Sequence, residues 1–128
     1  MKQLLLATIL ALIIGCEAPG GQPPSVVNPA NPHLHKVAYS GRYLVVEHIQ
    51  LLKKQSSGLL QLNVSFFNRR PSGTPYRYQV HWLDHNGAVL SSADRGWRSL
   101  TMIRGSNPLL LVAKNTRAVD FKLTIEKD

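Results

Sequence analysis

Apolar and polar side chains alternate one for one along much of this chain. Leu60, Leu62, Val64 and Phe66 interleave with Gln61, Asn63 and Ser65. Tyr76, Tyr78, Val80 and Trp82 interleave with Arg77, Gln79 and His81. Val119, Phe121, Leu123 and Ile125 do the same with Asp120, Lys122, Thr124 and Glu126. A period of two sends successive side chains to opposite faces of a strand. The pattern predicts three strands, each with a dry and a wet face, in antiparallel sheets around one core. Leu44 to Leu52 is apolar and β-branched but less regular, and predicts a further strand with Glu47 near an edge. Leu109 to Val112 is an unbroken apolar run, as in a buried strand. Shorter strand signals fall at Ala88 to Leu90 and Arg98 to Met102. No segment carries a helical period.

The connections agree with strands. Lys53 to Gly58 is a polar turn, and Arg69 to Pro75 carries Pro71, Gly73 and Pro75. Asp84-His85-Asn86-Gly87 ends in an Asn-Gly pair, a strong hairpin signal because both residues tolerate positive φ. Asp84 is expected to shape that turn by accepting backbone amides. The fold class that follows is all-β. It is a single small antiparallel β-sandwich of immunoglobulin-like kind, with six to seven strands.

The first residues follow a different rule. Lys2 precedes an apolar stretch, Leu4 to Ile14, which ends at Gly15-Cys16. A basic start, a short apolar run and a small residue before a cut define an export signal. The apolar stretch is well short of the about 20 residues that a bilayer helix needs. Residues 1–15 therefore read as a lipoprotein signal peptide, cut between Gly15 and Cys16. The Cys16 thiol would take a diacylglyceryl group and the new amine an acyl chain such as palmitate. More than one acyl chain is what stable anchoring requires. Glu17 stands where enterobacterial lipoproteins retained in the inner membrane carry aspartate. That points to the outer membrane, facing the periplasm. Residues 16–42 hold Pro19, Pro23, Pro24, Pro29 and Pro32 among glycines and polar residues, and read as a Pro/Gly-rich tether. Residues 43–128 read as the sandwich.

Composition narrows the partners. The chain has 128 residues, room for one domain. Its single cysteine is consumed by lipid, so no disulfide braces the fold. A formal charge of +8 suits anionic lipid, cell-wall polymers or acidic proteins. Nucleic acid is the usual partner of such a charge, but an envelope anchor argues against it.

The run Tyr76-Arg77-Tyr78-Gln79-Val80-His81-Trp82-Leu83-Asp84-His85-Asn86-Gly87 is an aromatic-rich strand that ends in Trp-x-Asp and a glycine turn. It resembles the YcfL-type family of small periplasmic lipoproteins of Gram-negative bacteria. Asn68 after the strand at 60–67, Trp97, the apolar strand at 109–112 and the last alternating strand follow the same plan. Lys114 to Arg117 departs from the Ala-Pro-like turn of many members. The resemblance implies a β-sandwich lipoprotein without established enzymatic activity. Some members are encoded near a lipoprotein activator of a cell-wall synthase, which suggests envelope maintenance. Only the acylated Cys16 carries over as a site residue.

Candidate chemistry is thin. His33-Leu34-His35 has metal-pair spacing, but two ligands fall short of zinc's three or four, and the pair lies in the tether. His81, Asp84 and His85 cluster at a strand end, with Asp84 better read as a turn residue. No Gly-x-Ser-x-Gly elbow exists, and none of the 7 acidic residues suggests a facing carboxylate pair. No enzyme, cofactor or metal is expected. Trp82 reads as a core anchor. Trp97 reads either as a core plug or as a partly exposed aromatic beside Arg95 and Arg98. The latter makes Trp97, Arg95 and Arg98 the candidate contacts for a partner. An envelope protein, bound by strand addition at a sheet edge, is the first expectation. A peptidoglycan- or glycan-binding module is an alternative, as is a structural lipoprotein subunit of a secretion complex.

Overall fold

The computed structural model describes residues 27, 28, 30–90 and 96–128. Seven strands run in chain order: β1 (Val37–Ala38), β2 (Leu44–Lys53), β3 (Leu60–Asn68), β4 (Thr74–Leu83), β5 (Arg98–Met102), β6 (Gly105–Val112) and β7 (Asp120–Lys127). They form a four-stranded sheet, β1-β7-β4-β5, and a three-stranded sheet, β2-β3-β6. All pairings are antiparallel except β1 with β7. The fold is the all-β sandwich that the alternation predicts.

The inward residues of β3 and β4 alternate as expected. Leu62, Val64 and Phe66 are buried opposite Tyr76, Tyr78, Val80 and Trp82, and Phe121, Leu123 and Ile125 of β7 complete the core. Trp82 is the core anchor it reads as. In β7 the alternation slips at its start: Ala118 is buried and Val119 is exposed. A turn just before the strand, closed by the Ala118 amide on the Asn115 carbonyl, changes which side chain points inward.

The run Leu109 to Val112 is not buried throughout. β6 pairs with β3 alone among the described residues and forms an edge of its sheet. Leu109 packs inward, while Leu110 is 59% and Val112 41% exposed. A two-layer sandwich covers only one face of each sheet, so an edge strand keeps a wet face whatever its composition.

The folded unit also starts earlier than the boundary at 43. Val27, within the stretch read as tether, is buried, and its amide donates to the Val46 carbonyl at 3.0 Å. One turn of 3-10 helix, Leu34–Lys36, leads into β1, which pairs with β7. Lys36 Nζ donates to Asp120 Oδ1 at 2.7 Å and lies 3.2 Å from His33 Nδ1. The His33 ring packs beside Phe121, with centroids 6.0 Å apart. Long-range contacts, invisible to local composition, hold this short segment.

One buried polar side chain ties the sandwich end together. Asn68, the last residue of β3, is fully buried. Its Nδ2 donates to the carbonyls of Arg70 and Ile103, each at 3.2 Å. Its Oδ1 accepts from the Arg70 amide at 3.1 Å and the Tyr76 hydroxyl at 2.8 Å. A buried amide with all four bonds made is stabilising, because the low local dielectric strengthens each bond.

Candidate functional site

Trp97 sits just before β5 and is 43% exposed. The core-plug reading of this residue is therefore excluded. The Arg77 guanidinium, on β4, lies over its ring with Cζ 4.7 Å from the centroid. Arg77 Nε in turn donates to Glu126 Oε1 at 2.8 Å, and its Nη2 bonds the same oxygen. Arg77 and Glu126 are register partners across β4 and β7. An aromatic, a cation and an anion thus cross the outer face of the four-stranded sheet in series.

Both interactions of Arg77 are half exposed. Exposed cation–π contacts contribute about 0.5–1 kcal/mol, and exposed ion pairs about 0–1 kcal/mol. Their effect is local orientation: Arg77 stacks on an indole that stays open to solvent. An exposed Trp beside Arg is the composition of an interface hot spot.

Arg98 has a different setting. It lines a groove of about 170 Å³ with Tyr78, Val80, Trp82, Leu110, Val112 and Lys114. The groove exists because β5 pairs only with Thr74 to Tyr78 of β4. Beyond Tyr78, β4 has no strand on that side apart from one bridge, Leu83 to Val89, among the described residues. The sandwich is therefore open laterally, between β4 and the β6 edge. Its floor is aromatic and its rim holds two cationic side chains.

The structure separates Trp97, which precedes β5, from Arg98, its first residue: they have different neighbours. Trp97 joins the outer face through Arg77, and Arg98 joins the lateral groove. Arg95 lies outside the described residues, as do Gly15 and Cys16. Sequence reading missed Leu110 and Lys114 as part of this region, and it grouped Arg77 with Arg69, Arg70, Arg95, Arg98 and Arg104 only as arginines of a basic face or of a solvated surface. Arg77 sits on the wet side of an alternating strand, like any solvated charge, so nothing local marked its stacking on Trp97.

The other candidates resolve into structural roles. Asp84 Oδ1 accepts the amides of Asn86 at 2.9 Å and Ala88 at 3.0 Å. Those bonds, from Ala88 first and then Asn86, hold its carboxyl below the usual range. Gly87 takes φ 81°, while Asn86 keeps a negative φ, so the turn uses only one left-handed residue. Burial, then the neighbouring Lys36 charge, pushes the His33 imidazole down. No group of three metal-binding side chains occurs among the described residues.

Comparison with known proteins gives a consistent picture. A family model described as a protein of unknown function, DUF1425, matches residues 35–127. The crystal structure of Campylobacter jejuni cj0090 is similar, at 28% identity and a TM-score of 0.62. The similarity covers 73% of this chain and 98% of that one. A DUF1425 family member from Shewanella sp. pv-4 shares the fold at 19% identity and a TM-score of 0.57, over 70% of this chain and 84% of its own. No curated protein matches the chain.

Proposed function

We propose, for a chain that belongs to the DUF1425 family of proteins of unknown function, a role as a lipid-anchored envelope lipoprotein of the YcfL type. In this reading it binds another envelope protein and catalyses nothing. The signal at Lys2 to Cys16 supports the anchor, with the protein held at the outer membrane and facing the periplasm. One observation carries the binding role: Trp97 is exposed on the outer face, with the Arg77 guanidinium over its ring. A solvated surface has no use for an oriented indole; a protein partner does. The β6 edge, which pairs with β3 alone among the described residues and leaves Leu110 and Val112 exposed, offers backbone groups for strand addition.

A photo-crosslinking residue at position 97 or 110 in living cells tests this. A discrete protein adduct from both positions, absent from a control at Lys54, is the expected result. If purified sacculi retain the protein and no protein adduct forms, the oriented Trp97 stacks on glycan instead. Radiolabelled palmitate should mark the wild type and not the Cys16→Ala variant, which leaves the membrane fraction.

A further inference from the structure

Three connections meet at one end of the sandwich: residues 39–43 before β2, 69–73 between β3 and β4, and 103–104 between β5 and β6. They are tied to one another. The Asn68 side chain bonds the carbonyls of Arg70 and Ile103. The Arg69 amide donates to the Tyr43 carbonyl at 2.8 Å, the Gly73 amide to the Met102 carbonyl at 2.9 Å, and the Arg104 amide to Ser72 Oγ at 2.8 Å. These bonds make one platform of the three loops.

Its surface is cationic and partly apolar. Arg42, Arg69 and Arg104 are all exposed, and the three connections hold no acidic residue. Ile103, next to Arg104, is 58% exposed. Tyr43 is half-buried, with the Arg42 and Arg70 guanidinium carbons 5.2 Å and 3.9 Å from its ring centroid. Asp128 and the terminal carboxylate lie at the same end, where the Asp128 amide bonds the Pro75 carbonyl, and Lys127 offsets one of these charges. Guanidinium groups grip phosphate bidentately, and an exposed aliphatic side chain among them suits the boundary between headgroups and acyl chains.

The point where the chain enters the fold favours lipid phosphate over a soluble acidic partner. Val27 bonds Val46, about 7 Å of strand from Leu44 at this end and about 23 Å from Lys53 at the other. The stretch from Cys16 to Val27 spans at most about 40 Å. An acylated Cys16 therefore keeps this end near the bilayer at high effective concentration. The opposite end also carries cations, Lys53, Lys54 and Arg117, but Asp84 stands among them and the entry point is farther away.

We propose that the arginine end docks on anionic phospholipid headgroups, with Arg42, Arg69 and Arg104 on lipid phosphates and Ile103 at the acyl boundary. The proposal rests on the lipid-anchor reading above. β5 runs from Arg98 to Met102 toward this end, so about 14 Å of strand lifts Trp97 off the lipid. Docking thus leaves the Trp97 face open to a partner.

The test uses the acylated protein, extracted from membranes and returned to vesicles. Acylation consumes the single cysteine, so an introduced cysteine is the sole thiol to label. Pro71→Cys places an NBD fluorophore at the arginine end, and Ser56→Cys places it at the opposite end; both positions are exposed. A lipid with a nitroxide headgroup quenches whichever lies at the surface. In vesicles rich in phosphatidylglycerol, quenching at position 71 should exceed that at position 56 several-fold. The difference should vanish in phosphatidylcholine alone and shrink at high salt. Arg42→Gln, Arg69→Gln and Arg104→Gln should each lower the docking equilibrium about fivefold, with Tm unchanged. The combined Lys53→Gln, Lys54→Gln and Arg117→Gln variant should change it less than about twofold, because those charges lie beyond the screening length. The proposal fails if position 56 is quenched as strongly as position 71, if neutral lipid gives the same difference, or if the arginine variants change nothing. Mass spectrometry reads the anchor independently. An unacylated Cys16 sinks the lipoprotein reading and the docking with it, whereas acylated protein with no preference between its ends overturns the docking alone.

Discussion

Replacing Asn68 with alanine removes the side chain on which one end of the sandwich converges. Four bonds are lost, those to the Arg70 amide, the Tyr76 hydroxyl and the carbonyls of Arg70 and Ile103, of which the Ile103 carbonyl keeps the Asn107 side-chain amide at 2.9 Å. A typical bond contributes about 1 kcal/mol net, and a buried group left unmet costs about 1–3 kcal/mol. Water entering the vacated space would satisfy part of the set. The expected loss is about 3–4 kcal/mol, a large share of the about 5–15 kcal/mol that holds a domain. For a domain of this size that lowers Tm by about 15 °C or more. Urea unfolding followed by the fluorescence of buried Trp82 measures it directly. Tyr76→Phe removes one of the four bonds and should cost about 1 kcal/mol. Combined with Asn68→Ala it should cost less than the sum, since both changes delete the same bond. A loss under about 1 kcal/mol for Asn68→Ala, with an unchanged denaturant slope, would show that the network does not support the fold as argued.

Other outcomes follow from the same structure. Phe121→Ala, at a fully buried position of β7, should destabilise by about 3–5 kcal/mol in the same assay. Trp97→Ala should cost under about 1 kcal/mol yet remove the crosslink, separating stability from binding. A loss of stability comparable with Phe121→Ala would place Trp97 in the core after all. The Asp120 carboxyl is pushed up by burial, but the Lys36 bond and the Phe121 amide outweigh this and leave it below the usual range. Its ionised form therefore stabilises the fold above the unfolded carboxylate pKa, and that contribution fades as pH falls through the lower folded value. Asp120→Asn should cost about 0.5–1 kcal/mol at neutral pH, discounted for partial exposure, and nothing once the wild-type carboxyl is protonated. A pH-independent difference would refute the ion pair as its cause. Gly87→Ala forces a side chain into φ 81° and should cost about 1 kcal/mol by thermal unfolding.

The alternating strands were legible because burial on one face of a sheet writes itself directly into residue order. Leu60 to Phe66 and Tyr76 to Trp82 announced β3 and β4 and their inward faces, and Asp84 announced its turn through short-range bonding. Residues 34–38 did not announce β1, because two paired residues carry no period and Lys36 is held by Asp120, far along the chain. Leu109 to Val112 looked buried because an apolar run cannot say which of its sides meets another layer. The separation of Trp97 from Arg98 required knowing where β5 begins and how little of β4 it covers. Asn68 is one polar letter in the sequence, and Arg42, Arg69 and Arg104 are charges in three separate connections. Local alternation determined the sheet class and the core; the tertiary structure decided the edges, the open flank and the arginine end, because those arise where distant strands stop or cease to cover one another.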